Sequence, residues 1–260
     1  MAKVVLITGA SQGLGKYCAY EFASRGYDLF LTARNYDALK QIQTEITEKF
    51  GVSCEIFSLN VTSMDEWQMS KKFFFEKYSN LDIMLLNAGI SNPMWFEQFD
   101  LNNFRDTYET NVFGVLNGFN TYLSYFLEKQ QGTIAVVSSL ADSRGFVGSS
   151  SYCSSKIALS YLTESASIEL ADKKIKVINI RPGFVKTNMT AKNQYSMPFI
   201  MGPERAAKIM VDGIEKGKNV ISFPLITSIL TSIIRLTPRF IYQKLIGNWK
   251  SRQIKLKNQN

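Results

Sequence analysis

Apolar and polar positions alternate along this chain with two different periods. Short runs rich in β-branched and apolar residues have the length and unbroken hydrophobicity of strands buried on both faces: "KVVLIT" (3–8), "DLFLTA" (28–33), "CEIFSL" (54–59), "LDIMLLN" (81–87), "TIAVVS" (133–138), "IKVINI" (175–180) and "NVISF" (219–223). Between them the period lengthens. Over 36–50 the apolar positions Leu39, Ile42, Ile46 and Phe50 recur every three or four residues, which predicts a helix closed by Gly51. Ser63 and Glu66 have capping-box spacing at the head of another helix, running through "WQMSKKFFFEKY". Strand and helix in alternation call for crossover connections. The pattern therefore predicts an α/β fold, a doubly wound parallel sheet of about seven strands with helices on both faces. No internal repeat or low-complexity linker interrupts it.

Past residue 224 the pattern changes. An apolar stretch, with Leu225, Ile229, Ile233 and Leu236 at helical spacing, runs up to Pro238 and is followed by a basic stretch carrying Phe240, Tyr242, Leu245 and Trp249. Residues 1–224 thus read as one domain, and 225–260 as an apolar-then-basic extension rather than a domain of its own. Charge sharpens this boundary. The chain carries a formal +8, yet no acid follows Glu215, while nine basic residues do, so the body is close to neutral and the excess belongs to the tail.

Composition then narrows the chemistry. A chain of 260 residues, 45% of them hydrophobic, can bury a sizeable core in one domain. Cys18, Cys54 and Cys153 are odd in number and far apart, which speaks against a disulfide framework and a zinc site and for a reducing compartment; the expected location is cytoplasmic. Histidine is absent, which removes Ser-His-Asp triads, Cys-His dyads, HExxH zinc sites and any imidazole base. Proton transfer must use Tyr, Lys, a carboxylate or water. The opening "MAKVVLITGA" meets Gly9 before it could complete a signal peptide, and no run of 18 apolar residues offers a membrane span.

Two local patterns carry candidate chemistry. "TGASQGLG" (8–15) follows the first strand and precedes a helix. Gly9, Gly13 and Gly15 let the backbone turn tightly there and aim the N–H groups around Ser11, Gln12 and Leu14 at a pyrophosphate, although an ordinary βα turn would use the same residues. The second strand ends "TARN". Arg34 stands where a carboxylate would select NAD, and a guanidinium favours the 2′-phosphate of NADP; Asp37, three residues on, leaves room for NAD. In "SYCSSK" (151–156), Tyr152 and Lys156 share a helix face at i, i+4, a spacing also common in unrelated helices.

Taken in order, TG-x-x-x-G-x-G at 8–15, "NAG" at 87–89, Asn111, "SS" at 138–139, Y-x-x-x-K at 152–156 and "PGFVKT" at 182–187 resemble the short-chain dehydrogenase/reductase family in its single-domain form, over residues 3 to about 223. The resemblance implies a Rossmann-like fold and assigns roles. Tyr152 would be the general acid in reduction and the base in oxidation. A free phenol titrates near 10, and the Lys156 ammonium beside it favours the phenolate. Lys156 would also bond the nicotinamide ribose. Ser139 would donate to the substrate oxygen, and Asn111 would hold a water next to the lysine; Asn102, Asn103 and Asn117 are competing choices for that place. Cofactor contacts implied by the same resemblance are Gly9, Ser11, Gln12, Gly13, Leu14 and Gly15, Arg34, Asn60 and Val61 beside adenine, Asn87, Ala88 and Gly89, Tyr152 and Lys156, and Pro182, Gly183, Val185 and Thr187 near the carboxamide. Asn60 departs from the aspartate usual there. Cys153, adjacent to Tyr152, points about 100° away around the helix and has no histidine to activate it.

The expected protein is an NADP-dependent oxidoreductase moving a hydride between nicotinamide and a ketone, aldehyde or secondary alcohol, with no metal. The segments 91–99 and 188–201 are rich in Met and aromatics and leave strand ends, which points to a lipophilic substrate or to a lid packed on the protein's own core. The alternatives are a non-catalytic NADP(H)-binding sensor or scaffold, against which the intact Ser139, Tyr152 and Lys156 weigh, and a nucleotide-sugar epimerase or dehydratase, whose glycine loop is usually spaced differently. A homodimer or homotetramer through helices at 100–130 and 152–171 follows from the resemblance. The tail, 225–260, fits the inner face of a membrane, a partner subunit or a flap over the cleft; nucleic acid fits its composition poorly.

Overall fold

Val4–Thr8 (β1) is an interior strand of a seven-stranded parallel sheet of order β3-β2-β1-β4-β5-β6-β7 in a computed structural model that describes residues 2–191 and 197–246. The other strands are β2 (Asp28–Ala33), β3 (Cys54–Ser58), β4 (Ile83–Leu86), β5 (Gly132–Val137), β6 (Ile175–Pro182) and β7 (Val220–Phe223). Each expected strand is present, with ends shifted by no more than two residues. Ile7 pairs with Leu31 of β2 on one side and with Leu85 of β4 on the other. The chain first builds outward through β2 and β3, then crosses back to β4. That reversal opens a crevice at the carboxyl ends of β1 and β4, where open α/β sheets bind ligands.

Consecutive strand residues point to opposite faces. Val5 and Ile7 join a core shared with α1 (Gly13–Ala23), α2 (Tyr36–Phe50) and α8 (Pro203–Glu215), through Phe22, Leu39, Ile42 and Met210. Val4 and Leu6 join the opposite core, with Trp67 and Phe74 of α3 (Met64–Lys77), Tyr122 and Phe126 of α5 (Gly114–Lys129) and Leu159 of α6 (Ser150–Glu169). Asn35 caps α2 by accepting from the Ala38 N–H at 3.0 Å, and Gly51 ends it at φ 68°. The expected capping box at α3 is only half formed. Ser63 accepts from the Glu66 N–H at 3.2 Å, but the Glu66 carboxylate bonds the Asn60 N–H at 2.6 Å, reaching the turn that precedes the helix. The helix expected over 100–130 is α4 (Leu101–Tyr108) joined to α5 by one π-helical turn, Glu109–Phe113. After β6 come α7 (Asn188–Ala191), α8, β7 and α9 (Leu225–Leu236). Trp249 and the basic residues from Lys250 onward lie outside the described residues, as do 192–196 of the segment expected to line the substrate.

Candidate functional site

The crevice is built from the end of β1 outward. Gly9 and Gly13 have φ of 66° and 56°, the left-handed region that glycine reaches without strain. A Cβ on Gly15 would sit 2.4 Å from the Gly9 carbonyl oxygen and 2.6 Å from Asn87 Nδ2, so the loop closes over itself only with hydrogen there. Thr8 locks the loop to the end of β4: its Oγ1 accepts from the N–H groups of Asn87 (3.0 Å) and Ala88 (3.1 Å), and its carbonyl accepts from Asn87 Nδ2 at 2.9 Å. The N-terminus of α1 has no acid in its first turn, and its N-cap Gln12 makes no capping bond. Its N–H groups and positive dipole end are left to an anion, so the loop fits a dinucleotide pyrophosphate. Ser11 is half-buried within the loop, while Leu14 packs its side chain into the core behind it. Thr187 lies across the loop, 3.6 Å from where a Gly13 Cβ would be, and Asn188 donates to Gln12 Oε1 at 2.9 Å.

Arg34 is exposed just past β2, next to the exposed Asp37. Asn60 and Val61 follow β3. The Asn60 Oδ1 accepts from the Thr62 N–H at 3.2 Å, while the Val61 carbonyl receives Trp67 Nε1 and Asn117 Nδ2, each at 3.0 Å. On the far side, Gly183 donates to the Phe223 carbonyl at 2.7 Å, and Val185 is buried, paired in a bridge with Met201.

Of the residues expected to react, Tyr152 and Lys156 lie on α6, with Asn111 and Ser139 on the neighbouring π turn and short turn. Tyr152 and Lys156 do share one face, with the Lys156 Nζ 5.6 Å from the Tyr152 ring centroid. Lys156 is buried and donates to the Val137 carbonyl, where β5 ends, at 2.8 Å. Removal from water pushes its pKa down to about 8, so it still carries its charge at neutral pH. Asn111 sits inside the π turn and is fully buried. It clamps Ile90 from both sides, accepting from its N–H at 2.7 Å and donating to its carbonyl at 3.0 Å, and also donates to Ser155 Oγ at 3.0 Å. Asn111 and Lys156 converge on Gly89, where a Cβ would lie 3.1 Å from Asn111 Oδ1 and 3.4 Å from Lys156 Nζ. Of the competing asparagines, Asn102 is exposed, Asn103 reaches the Pro93 carbonyl and Asn117 reaches Val61. Ser139 caps the short turn Leu140–Ser143, accepting from the Ala141 N–H at 3.1 Å and donating to the Pro182 carbonyl at 3.3 Å. Cys153 is buried, and that burial raises its thiol pKa, leaving it a packing residue.

Some of the supporting residues carried no signal in the sequence. Ser155 and the Asp142–Arg181 pair were not singled out, and Thr8 stood only as the first residue of the glycine motif. Arg181 grips the buried Asp142 carboxylate through Nε at 2.8 Å and Nη2 at 2.5 Å, and Ser160 of α6 donates to the same group at 2.5 Å. One carboxylate thus ties the Ser139 turn, the Tyr152 helix and the strand leading to Pro182. Facing this set is the segment 91–99. Met94 donates to the Gly148 carbonyl at 3.0 Å, while Trp95, Phe96 and Phe99 stay exposed; across the opening Met189, Phe199 and Ile200 are exposed too. Among the described residues no cluster of metal-binding side chains occurs.

The short chain dehydrogenase family model matches residues 3–197. An uncharacterized oxidoreductase of Myxococcus xanthus is 32% identical over 240 residues, covering 92% of this chain and 94% of that one. Among solved structures, an alcohol dehydrogenase from the archaeon Thermococcus sibiricus, complexed with 5-hydroxy-NADP, is 27% identical with a TM-score of 0.77, covering 86% of this chain and 95% of its own. A 7α-hydroxysteroid dehydrogenase complexed with NADH and 7-oxo glycochenodeoxycholic acid is 25% identical with a TM-score of 0.79, covering 85% and 92%. The chain belongs to the short-chain dehydrogenase/reductase family and is a nicotinamide-dependent oxidoreductase of that family.

Proposed function

We propose that this protein is an NADP-dependent carbonyl reductase or alcohol dehydrogenase acting on a lipophilic ketone, aldehyde or secondary alcohol. The observation that carries the reading is the buried Lys156 ammonium, set against the Tyr152 ring on one side and Asn111 and Gly89 on the other. A nicotinamide dinucleotide bound in the crevice supplies or accepts the hydride. Tyr152 gives its phenolic proton to the carbonyl oxygen in reduction and removes the hydroxyl proton in oxidation. The cation at Lys156 stabilises the phenolate left behind, which brings the proton transfer into reach near neutral pH. Ser139, whose one hydroxyl proton rests on the Pro182 carbonyl at 3.3 Å, would turn that donor to the substrate oxygen as negative charge builds there. Asn111 keeps the Ile90 backbone and Ser155 in place beside the lysine, where a water could pass protons onward.

Arg34 supports NADP over NAD, because an exposed guanidinium past β2 matches a 2′-phosphate bidentately. The apolar rim of Trp95, Phe96, Phe99, Phe199 and Ile200 supports a lipophilic substrate, as does the steroid bound by a similar enzyme. Exposed Phe113 of the π turn, and Tyr161 and Ile168 on α6, support self-association through these helices. Three free thiols suit a reducing cytoplasm.

The test is loss of NADPH absorbance with a panel of ketones and aldehydes. Tyr152→Phe is expected to abolish turnover while NADPH still binds. Tight binding with no turnover in the wild type would mean a sensor, and turnover only of small polar carbonyls would overturn the lipophilic assignment. Arg34→Asp should lower the preference for NADPH over NADH at least about tenfold.

A further inference from the structure

In α9 the usual amphipathic arrangement is inverted. Thr231 is the buried residue of the helix, with Thr227, Ser228 and Ile234 half-buried beside it, so the side facing the body is mostly small and polar. The apolar side faces out: Leu225 is 72% exposed, Ile229 52%, Ile233 57% and Leu236 84%, with Ile226 and Leu230 alongside. After Pro238 a second helical segment, 239–246, adds exposed Phe240, Ile241 and Leu245 to the same region. A helix that packs its polar face inward has its apolar face selected by something outside the fold.

We propose that this surface docks on an anionic phospholipid bilayer, with α9 and 239–246 lying in the interface. The charge pattern names the occupant. No acid follows Glu215, and among the described residues Arg235, Arg239 and Lys244 are exposed around the apolar patch. A second copy docked on this face would set one acid-free cationic patch against another, whereas anionic headgroups neutralise it. Length agrees with lying flat: the 12 residues of α9 rise only about 18 Å, well short of a bilayer core of about 30 Å.

The surface is fastened to the body beside the reactive set. Arg144, just past the Ser139 turn, donates to the Ile234 carbonyl at 3.1 Å, to the Arg235 carbonyl at 2.9 Å and to the Thr237 carbonyl, satisfying the end of α9. Its guanidinium also stacks 5.3 Å from the Tyr242 ring, whose hydroxyl donates to the Gly145 carbonyl at 2.8 Å. Docking therefore fixes the orientation of the whole body on the membrane.

The experiment is co-sedimentation of the full chain with vesicles of phosphatidylcholine alone and of phosphatidylcholine mixed with phosphatidylglycerol. The protein is expected to pellet with the anionic vesicles and to be released by salt. Ile229→Ser and Ile233→Ser should each weaken partitioning roughly tenfold. Arg239→Gln together with Lys244→Gln should weaken it roughly 25-fold, about five-fold for each charge. All four side chains are exposed, so melting temperature and NADPH-linked turnover in vesicle-free solution should stay at wild-type values. Equal pelleting with neutral and anionic vesicles overturns the proposal, as does no pelleting with either. A dimer in solution that Ile229→Ser dissolves, with no vesicle binding, would assign the face to a second copy instead.

Discussion

Burying Lys156 stores a pH-dependent cost that can be measured without any substrate. Its amine titrates near 8 in the fold against an ordinary 10.5. A folded pKa below the unfolded one means that, between these values, the unfolded chain holds a proton the folded chain has released. Stability therefore rises with pH through that window. From the two values, the penalty carried by the folded state is about 3 kcal/mol at pH 7 and about 1 kcal/mol at pH 9.5. Replacing the amine with an apolar side chain of similar length, Lys156→Met, removes the penalty. The variant is expected to gain stability relative to wild type at pH 7 and to lose about 2 kcal/mol of that advantage by pH 9.5. Loss of the bond to the Val137 carbonyl and any change in packing add a constant offset, so the slope is what counts. Burial holds the phenols of Tyr20, Tyr27, Tyr78 and Tyr122 above their ordinary range. They withdraw stability only above pH 10, and equally in both proteins. Urea unfolding of the two proteins at four pH values gives the difference directly. Parallel stability profiles from pH 7 to 9.5 would refute the burial argument, and with it the claim that the reactive set holds its charge at a cost to the fold.

Three further outcomes follow from the geometry. Gly15→Ala places a methyl 2.4 Å from the Gly9 carbonyl and is expected to cut NADPH affinity at least about tenfold with little change in the remainder of the fold, as read by fluorescence titration. Asp142→Asn leaves Arg181 without its carboxylate and is expected to cost about 3 kcal/mol in urea unfolding, with Arg181→Met in the same chain restoring part of the loss. Ser63→Ala removes the cap of α3 and should lower stability by about 1 kcal/mol, whereas an equal loss on Glu66→Gln would show that the Asn60 bond matters as much.

The parallel sheet was legible because its strands are short, mostly apolar runs, with few polar residues such as Glu55 and Lys176 among them, while the stretch over 36–50 repeats at the helical period. Ordered motifs marked the glycine loop, Tyr152 and Lys156, since the chemistry lies in local spacing. What could not be read is what depends on distance across the fold. Nothing near Asp142 in the chain announces Arg181, 39 positions on, or Ser160, 18 on. The π turn around Asn111 looked like plain helix, because one extra residue in a turn leaves the apolar repeat almost unchanged. The inversion of α9 was equally hidden: Leu225, Ile229, Ile233 and Leu236 mark a stripe, but a stripe does not say whether it faces in or out.

These distant contacts explain how a set of small polar residues is held in a chain without histidine. Thr8 fastens the end of β4 to the glycine loop, and Asn111 fastens Ile90 to Ser155, one residue from Lys156. Asp142 fastens the Ser139 turn to α6 and β6. Each clamp spends its hydrogen bonds on backbone or on buried and half-buried side chains of the fold itself, so the three act before any ligand arrives. Removing one buried partner leaves the others unsatisfied at a cost of about 1–3 kcal/mol per group, which keeps the arrangement single-valued. The π turn is the local means: an extra residue there rotates Asn111 inward beneath Gly89, while α5 beyond it keeps its packing on Trp67 through Tyr122. An arrangement preorganised this way leaves the glycine loop and the exposed side chains of Trp95, Phe96 and Phe99 as the surfaces still open to a ligand.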